Sequence, residues 1–259
     1  MNKFTHFVAM TLLVLATSTS HAAPNPAVCA ENLKLGTPSV ANKSNIQVCR
    51  EGYALIFSTV TKTPLWVAER LLQEEINGAG IRASSFRPDP EIPYEYQAKK
   101  SDYARTGYDQ GHMAPAANFS QNQKLMDESF LFSNVVPQNA DNNRKIWASL
   151  EKKVRSWLGK RGELYVVTGP VFKNGRISQT LGSSKVAIPD AIFKVIFDPK
   201  TQNSIAFMVP NIPLSEKDLP DYIVSVRDVE MATGLNFHSN LALDLQEKVE
   251  TKRSGMWTR

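Results

Sequence analysis

Apolar and polar positions along the chain divide it into strand-like and helix-like segments. Short apolar runs bounded by turn residues predict strands over residues 53–60, 64–70, 131–136, 164–168, 186–188, 193–197 and 205–209. A helical period predicts helices over residues 122–129, 143–158 and 222–234. Strands mixed with well-separated helices are typical of an α+β fold.

Three stretches lack a clear period. Residues 24–48 are mixed and polar, which predicts an extended arm or a short helix. Residues 74–107 are rich in turn formers and charges, which predicts a long surface excursion, and long ordered loops are often functional. Residues 112–119 are expected to be a loop or the start of a helix. No repeat or linker interrupts the chain, so residues 23–259 are expected to form a single domain.

The N-terminus has the pattern of a secretory signal. A charged start, an apolar run over residues 7–16 and a small-residue exit predict a signal peptide over residues 1–22, cleaved after Ala22. A membrane anchor is the alternative, but the apolar run is short for a bilayer span. We therefore expect a secreted or periplasmic protein with no membrane attachment after cleavage. Its oligomeric state stays open.

Charge and cysteine content add modest constraints. The formal net charge is +5 and falls to +4 without Lys3, which is compatible with an anionic partner but also with an ordinary basic exported protein. The two cysteines, Cys29 and Cys49, are expected to form a disulfide in an oxidising compartment. On the loop-entropy argument such a bond stabilises the fold by roughly 3 kcal/mol.

Histidine scarcity narrows the chemistry. Of four histidines, His6 and His21 fall in the signal peptide, which leaves His112 and His238 and excludes a three-histidine zinc site. Gly111 and Pro115 flank His112 and imply a constrained loop that could present an imidazole to a cleft. A lone histidine is nevertheless more often structural than catalytic.

Asn143 is a second candidate, at the entrance of the predicted helix over residues 143–158. At about 100° per residue it shares the apolar stripe of that helix, with Glu151 at the edge of the stripe. A buried polar side chain needs a partner. Asn142 or Asn143 could cap the helix, or Asn143 could bind a metal, and the helix alone favours the cap.

Several segments in order carry a family resemblance. Asp109-Gln110-Gly111-His112, then Ser133-Asn134 with Pro137-Gln138, then Asn143 with Trp147 and Glu151 resemble the DNA/RNA non-specific endonucleases of the ββα-metal class. Further similar segments are residues 165–172, 188–194 and 233–237. The resemblance covers most of residues 50–245. It implies a ββα-metal core with a central antiparallel sheet flanked by helices.

The resemblance also implies roles for individual residues. It places the general base at His112, the metal ligand at Asn143, a residue that holds the water shell of the metal at Glu151, and a supporting residue at Asn134. The expected cofactor is Mg²⁺, with Mn²⁺ or another divalent cation as alternatives, and the expected substrates are DNA and RNA. Magnesium keeps several waters and tolerates few protein ligands, which agrees with this sparse set.

One position departs from the family pattern. Gln110 stands where the family usually has an arginine, which would contact phosphate. Arg82, Arg87, Arg105 or Arg144 could supply the missing charge. Otherwise the enzyme is slower or differs in substrate preference, or the chain is a non-catalytic nucleic-acid-binding protein. A phosphodiesterase acting on small or lipid substrates is a third hypothesis.

Other conspicuous residues are expected to have ordinary roles. His238 is expected to be a surface or packing residue. The tryptophans expected in the core are Trp66, Trp147 and Trp157. The charged run expected on the solvated outer face of its helix is Lys152, Lys153 and Arg155.

Overall fold

A computed structural model describes residues 26–38 and 45–258. The predicted signal peptide, residues 1–22, lies outside these ranges and stays a prediction. Within the described ranges, every helix is too short or too polar to cross a membrane.

A seven-stranded antiparallel sheet forms the centre of the molecule, as expected. The strands of the described residues are β1 Asn45–Cys49, β2 Ala54–Ser58, β3 Thr63–Leu72, β4 Tyr108–His112, β5 Val135–Asn139, β6 Glu163–Val171, β7 Gln179–Leu181, β8 Val186–Ile188, β9 Ala191–Asp198, β10 Asn203–Pro210 and β11 Ile223–Val224. The central sheet has the order β1-β2-β3-β6-β9-β10-β11, while β4 pairs with β5 and β7 pairs with β8.

The helices flank this sheet. They are α1 Pro26–Cys29, α2 Gln123–Glu128, α3 Ala140–Asn142, α4 Ala148–Arg161, α5 Val226–Thr233 and α6 Leu243–Thr251. A π-helical stretch, Asn143–Trp147, joins α3 to α4, and we call residues 140–161 the site helix and residues 143–147 its π segment. The α+β architecture with a central antiparallel sheet is therefore confirmed.

Several predicted boundaries were wrong for identifiable reasons. The strand predicted to end at Thr168 runs on through Gly169 and Pro170. Thr168 is the last residue of β6 that pairs with β3, and beyond it β6 pairs only with β9. Pro170 is tolerated because it lies where one side of the strand is unpaired. The helix predicted over residues 222–234 begins at Val226, after a cap in which Ser225 accepts a hydrogen bond from the Asp228 N–H. Gly234, with φ of 73°, ends it as predicted.

The two-stranded ribbon of β4 and β5 was the largest omission. The strand predicted over residues 131–136 begins only at Val135 and continues through Pro137 to Asn139. A 3₁₀ turn, Phe132–Asn134, precedes it. β4 was not predicted as a strand, because Tyr108–His112 has no apolar alternation. It becomes one through long-range pairing that places Gln110 opposite Pro137.

Apolar side chains fill both faces of the central sheet. One face packs against the site helix through residues that include Trp157 and Leu150, and the other packs against α5 through Phe193 and Trp66. Trp66, Trp147 and Trp157 are all buried, as expected. His238 is a buried packing residue, with its ring centroid 5.3 Å from that of Phe197.

The N-terminal segment and the long excursion are both tied to the body. The expected Cys29–Cys49 disulfide is present and joins α1 to β1. The excursion over residues 74–107 contains short 3₁₀ turns, including Tyr94–Tyr96. Its Asp89 carboxylate is buried and accepts hydrogen bonds from the Arg50 guanidinium at 2.6 and 2.7 Å. This contact anchors the excursion to the loop between β1 and β2.

Candidate active site

His112 ends β4 in an apolar pocket. It is only 8% exposed, and its ring centroid lies 4.6 Å from that of Phe86 and 4.9 Å from that of Phe130. Burial, reinforced by the charge of Arg82, lowers the pKa of His112 to about 3. The imidazole is therefore neutral at physiological pH, and its buried Nε2 has no hydrogen-bond partner among the described residues.

Asn134 fixes the loop that follows His112. Its side chain is fully buried, and its Oδ1 accepts a hydrogen bond from the Ala114 N–H at 2.9 Å. Its Nδ2 donates to the carbonyls of Ala114 and Ser129, both at 2.9 Å. All of this amide's bonding is with the backbone. Asn134 therefore supports the position of His112 and has no free group for substrate.

Asn143 does not cap the site helix. Asn139 has that role, because its side-chain oxygen accepts hydrogen bonds from the backbone N–H groups of Asp141 and Asn142. Asn142 is engaged elsewhere, donating to the carbonyls of Pro210 and Ile212. The capping interpretation, which the helix pattern alone favoured, is wrong.

Asp109 orients the Asn143 amide instead. Asn143 Nδ2 donates to Asp109 Oδ2 at 3.0 Å, and a carboxylate cannot donate in return, so the amide nitrogen must face it. Asn143 Oδ1 therefore points elsewhere and forms no hydrogen bond with a described residue. The same hydrogen bond joins the start of the π segment to β4 at Asp109, which lies three residues before His112. π-helical insertions are frequent at functional sites because they displace one side chain from the regular helical period.

Glu151 lies on the site helix, half-buried. Burial raises its pKa, while the positive charges of Lys194, Arg155 and Arg82 oppose that rise. Arg82 also acts on His112, so one arginine interacts electrostatically with both residues.

The four arginines proposed to contact phosphate have different surroundings. Arg82 lies over the Phe130 ring, 5.1 Å from its centroid, beside the His112 pocket. Arg144 pairs with both oxygens of Asp109, at 2.8 and 2.7 Å. Arg87 donates to the Asp127 carbonyl at 3.3 Å, and Arg105 lies in a turn with φ of 60°. Only Arg82 and Arg144 contact or interact with the site residues described above.

Sequence comparison identifies the family. A model of the DNA/RNA non-specific endonuclease family matches residues 33–244. This chain belongs to the DNA/RNA non-specific endonuclease family. It is therefore a nuclease, a hydrolase of phosphodiester bonds.

Known members of the family align over most of this chain. Human mitochondrial endonuclease G is 35% identical over 224 residues, covering 82% of this chain and 74% of that protein. Mitochondrial nuclease EXOG of Danio rerio is 36% identical over 200 residues, covering 71% of this chain but only 58% of its own length. The solved structure of EndoG in complex with EndoGI has a TM-score of 0.77 and 30% identity, covering 89% of this chain and 97% of that chain.

Gln110 lies on the His112 side of the ribbon. Successive strand residues face opposite sides, so Gln110 shares a face with His112, while Asp109 and Gly111 share the other. Its side chain forms no hydrogen bond with a described residue. Gly111 is required by close packing, since a Cβ there would lie 2.2 Å from Gln138 Oε1.

The site residues fit the hydrated divalent cation expected for this endonuclease family. Among the described residues, no group of three or more His, Cys, Asp and Glu side chains could hold a metal ion. A single amide oxygen from Asn143 and the carboxylate of Glu151 would form a sparse set of protein groups, which would suit an ion that retains most of its hydration. On the His112 side of the ribbon, the buried His112 Nε2 is also without a described partner.

Arg155 is the residue that the sequence interpretation missed. It was expected on the solvated outer face of the helix, but it is half-buried and donates to Asn118 Oδ1 at 3.4 Å. It also interacts electrostatically with Glu69, Glu151 and Lys194. The available signal was its spacing: Arg155 follows Glu151 by four residues and so lies on the same helix face.

Proposed function

We propose that this protein is an exported, Mg²⁺-dependent endonuclease that cleaves DNA and RNA with little sequence specificity. His112 is the general base and Asn143 is the metal ligand. The observation that carries the proposal is the link through β4: Asp109, three residues before the neutral, buried His112, holds the nitrogen of the Asn143 amide and leaves its oxygen free. Family membership supports the phosphodiester chemistry.

In the proposed reaction, each residue of the site has a separate task. The neutral imidazole of His112 takes a proton from the attacking water. Asn134 keeps the His112 loop in place, and Asp109 binds the nitrogen of the Asn143 amide, which leaves its oxygen free for the metal. Glu151 accepts hydrogen bonds from water around the metal position. A bound magnesium ion would supply positive charge that polarises the phosphate and stabilises the departing 3′ oxygen.

Binding in this proposal depends on the phosphate backbone. Of the four arginines proposed to contact phosphate, Arg82 and Arg144 lie beside the site, and the chain without its signal peptide carries a formal net charge of +4. Phosphate contacts position a nucleic acid without reading its sequence, so little base specificity is expected. Affinity should fall as salt rises, because phosphate neutralisation releases counterions.

A digestion series tests the proposal. Plasmid DNA, single-stranded DNA, RNA and a simple aryl phosphodiester are incubated with the mature protein and Mg²⁺, Mn²⁺ or EDTA. We expect internal cleavage of all three nucleic acids with either metal and none with EDTA. Cleavage that persists in EDTA would contradict the metal role, and hydrolysis of the small diester alone would support a phosphodiesterase.

A non-catalytic nucleic-acid-binding protein is the second candidate. The observation that favours it is Gln110, which brings no charge to the His112 face of the ribbon. Such a protein would shift DNA in a gel yet leave it intact with every metal. The same digestion series, combined with a DNA-binding assay in EDTA, distinguishes the two functions.

Export is proposed from the sequence of residues 1–22 alone. We expect the protein recovered outside the cytoplasm to begin at Ala23. N-terminal sequencing of that protein checks the cleavage site, and recovery of the uncleaved chain in the membrane fraction would support an anchor instead.

A further inference from the structure

A buried charged cluster lies on the sheet beneath the site helix. We define it as Glu69 on β3, Thr168 on β6 and Lys194 on β9. Thr168 pairs directly with Lys194, and it also pairs with Val67, two residues before Glu69. Residues two apart on a strand face the same side, so the three side chains share one face of the sheet.

Lys194 contacts the underside of the site helix. The residue is only 2% exposed, and its ammonium donates to Thr168 Oγ1 at 2.5 Å. The same ammonium lies 5.2 Å from the ring centroid of Trp147, the last residue of the π segment. A cation over an indole ring is attracted to it, more strongly where water is excluded. Lys194 therefore supports the turn that begins at Asn143.

Lys194 is also the dominant charged neighbour of Glu151. Of the charged groups that act on the Glu151 carboxylate, Lys194 has the largest effect, ahead of Arg155 and Arg82. Lys194 in turn interacts with Glu69 and Glu151. Its positive charge thus interacts with one carboxylate of the sheet and with one carboxylate of the site helix.

Glu69 completes the arrangement. It is 1% exposed, and its Oε1 accepts a hydrogen bond from Asn118 Nδ2 at 2.9 Å. Burial raises the pKa of Glu69 to about 7 and lowers that of Lys194, while the opposite charge of each residue counteracts the shift of the other. Burying a charged group costs several kcal/mol, and apolar residues of similar volume often stabilise a core as well or better. Stability alone therefore gives no reason for a lysine at this position.

We propose that Lys194, with Glu69 as its counter-charge, is a positioning residue that holds the Glu151 carboxylate and the Asn143 turn in the arrangement that binds hydrated metal. Lys194 itself touches neither metal nor substrate. This inference rests on the proposed function, because it assumes that Asn143 and Glu151 hold the metal.

Magnesium affinity of the full mature chain is the readout that tests this role. Isothermal titration of EDTA-treated, dialysed protein with MgCl₂ is compared among wild type, Lys194→Met, Lys194→Arg and Glu69→Gln. Outer-shell residues typically alter metal affinity by about 10- to 100-fold, so Lys194→Met should weaken magnesium binding by about tenfold or more. Lys194→Arg retains the charge and should recover most of the affinity. Glu69→Gln leaves Lys194 without its counter-charge, and a loss of several-fold is expected.

Controls separate positioning from folding. Lys200→Met makes the same substitution at an exposed lysine that follows β9, and it should leave magnesium affinity unchanged. Thermal unfolding in EDTA reports the stability of each variant. If Lys194→Met does not fold, Glu69→Gln and Lys194→Arg carry the test. A folded variant that loses only melting temperature and binds magnesium like wild type would overturn the proposal.

Asn143→Ala, titrated in parallel, distinguishes this inference from the proposed function. Loss of magnesium binding in Asn143→Ala, together with wild-type binding in Lys194→Met, would reject the role of Lys194 alone. Unchanged binding in Asn143→Ala would reject the metal site itself, and the inference with it.

Discussion

At the scale of single residues, His112 combines burial with a position at the end of a strand. Replacement by alanine should reduce cleavage by about 10²- to 10⁴-fold, the usual effect of removing a general base. Magnesium affinity should be unchanged, since the metal is assigned to Asn143. Plasmid nicking rates and calorimetric magnesium titration of the folded variant check both parts. Activity within a few-fold of wild type would show that another group takes the proton.

The pH profile gives a second prediction for His112. A general base works in its neutral form, and burial lowers the pKa of this imidazole to about 3. The His112 proton should therefore cause no loss of kcat/KM between about pH 8 and pH 5, where an unperturbed histidine would titrate. Initial rates at saturating magnesium give the pH dependence of kcat/KM, and NMR titration of the His112 ring protons gives the pKa of the imidazole. An acid limb near pH 6.5 that matches the NMR titration would contradict the effect of the apolar pocket.

The third prediction concerns Gln110 and its relation to Arg144. Gln110 lies on the His112 face of β4, and Arg144 is paired with Asp109 on the other. Gln110→Arg should raise kcat/KM by up to about tenfold, because charge-assisted hydrogen bonds to phosphate are stronger than neutral ones. The variant is measured alone and combined with Arg144→Ala or Arg105→Ala. A large loss in the single variant, with neither alanine variant rescued, would show that position 110 is not near the phosphate.

At the scale of elements, the ribbon of β4 and β5 depends on a glycine. A Cβ at position 111 would lie 2.2 Å from Gln138 Oε1 and 2.7 Å from its Cβ, so β4 and β5 would have to separate. Gly111→Ala should therefore lower stability by about 1–3 kcal/mol and reduce activity through displacement of His112. Chemical denaturation and nicking assays measure the two effects.

Removing the opposing side chain tests that explanation. Gln138→Ala opens space for the new methyl group, so the double variant should be more stable than the sum of the two single effects predicts. Additive losses would mean that the contact with Gln138 is not the reason for the glycine at position 111. Gln138→Ala also removes the hydrogen bond from Gln138 to Asn142 Oδ1, and the single variant measures that loss.

At the scale of the whole molecule, the Cys29–Cys49 disulfide joins the N-terminal segment to an edge strand of the central sheet. It closes a loop of 20 residues, and its removal should cost about 3 kcal/mol on the loop-entropy argument. Thermal unfolding of the Cys29→Ser/Cys49→Ser double variant and of the reduced wild type should show the same fall in melting temperature. Equal stability of oxidised and reduced protein would mean that the segment is held by its other contacts alone.

The fold class, the family and the core tryptophans could be predicted from the sequence. Apolar runs identify the long strands because they are buried whichever strand lies beside them, and the ordered motifs around His112 and Asn143 identify the family. The disulfide followed from an even cysteine count in a chain expected to be exported. These features depend on local pattern and composition, which can be read from the sequence without knowing which residues are neighbours in space.

The tertiary structure decided which partner each polar side chain takes. Asn139 caps the site helix, and Asn143 donates a hydrogen bond to Asp109. The helix pattern could not predict these two roles, because the partner of Asn143 lies on a strand over thirty residues earlier in the sequence. β4 has no apolar period and exists through its pairing with β5. Arg155 resembles a surface charge in the sequence, and only the packing of the site helix on the sheet half-buries it. Hydrophobic period is a local property of the chain, whereas charge pairing and pKa shifts depend on distances that only the folded chain defines.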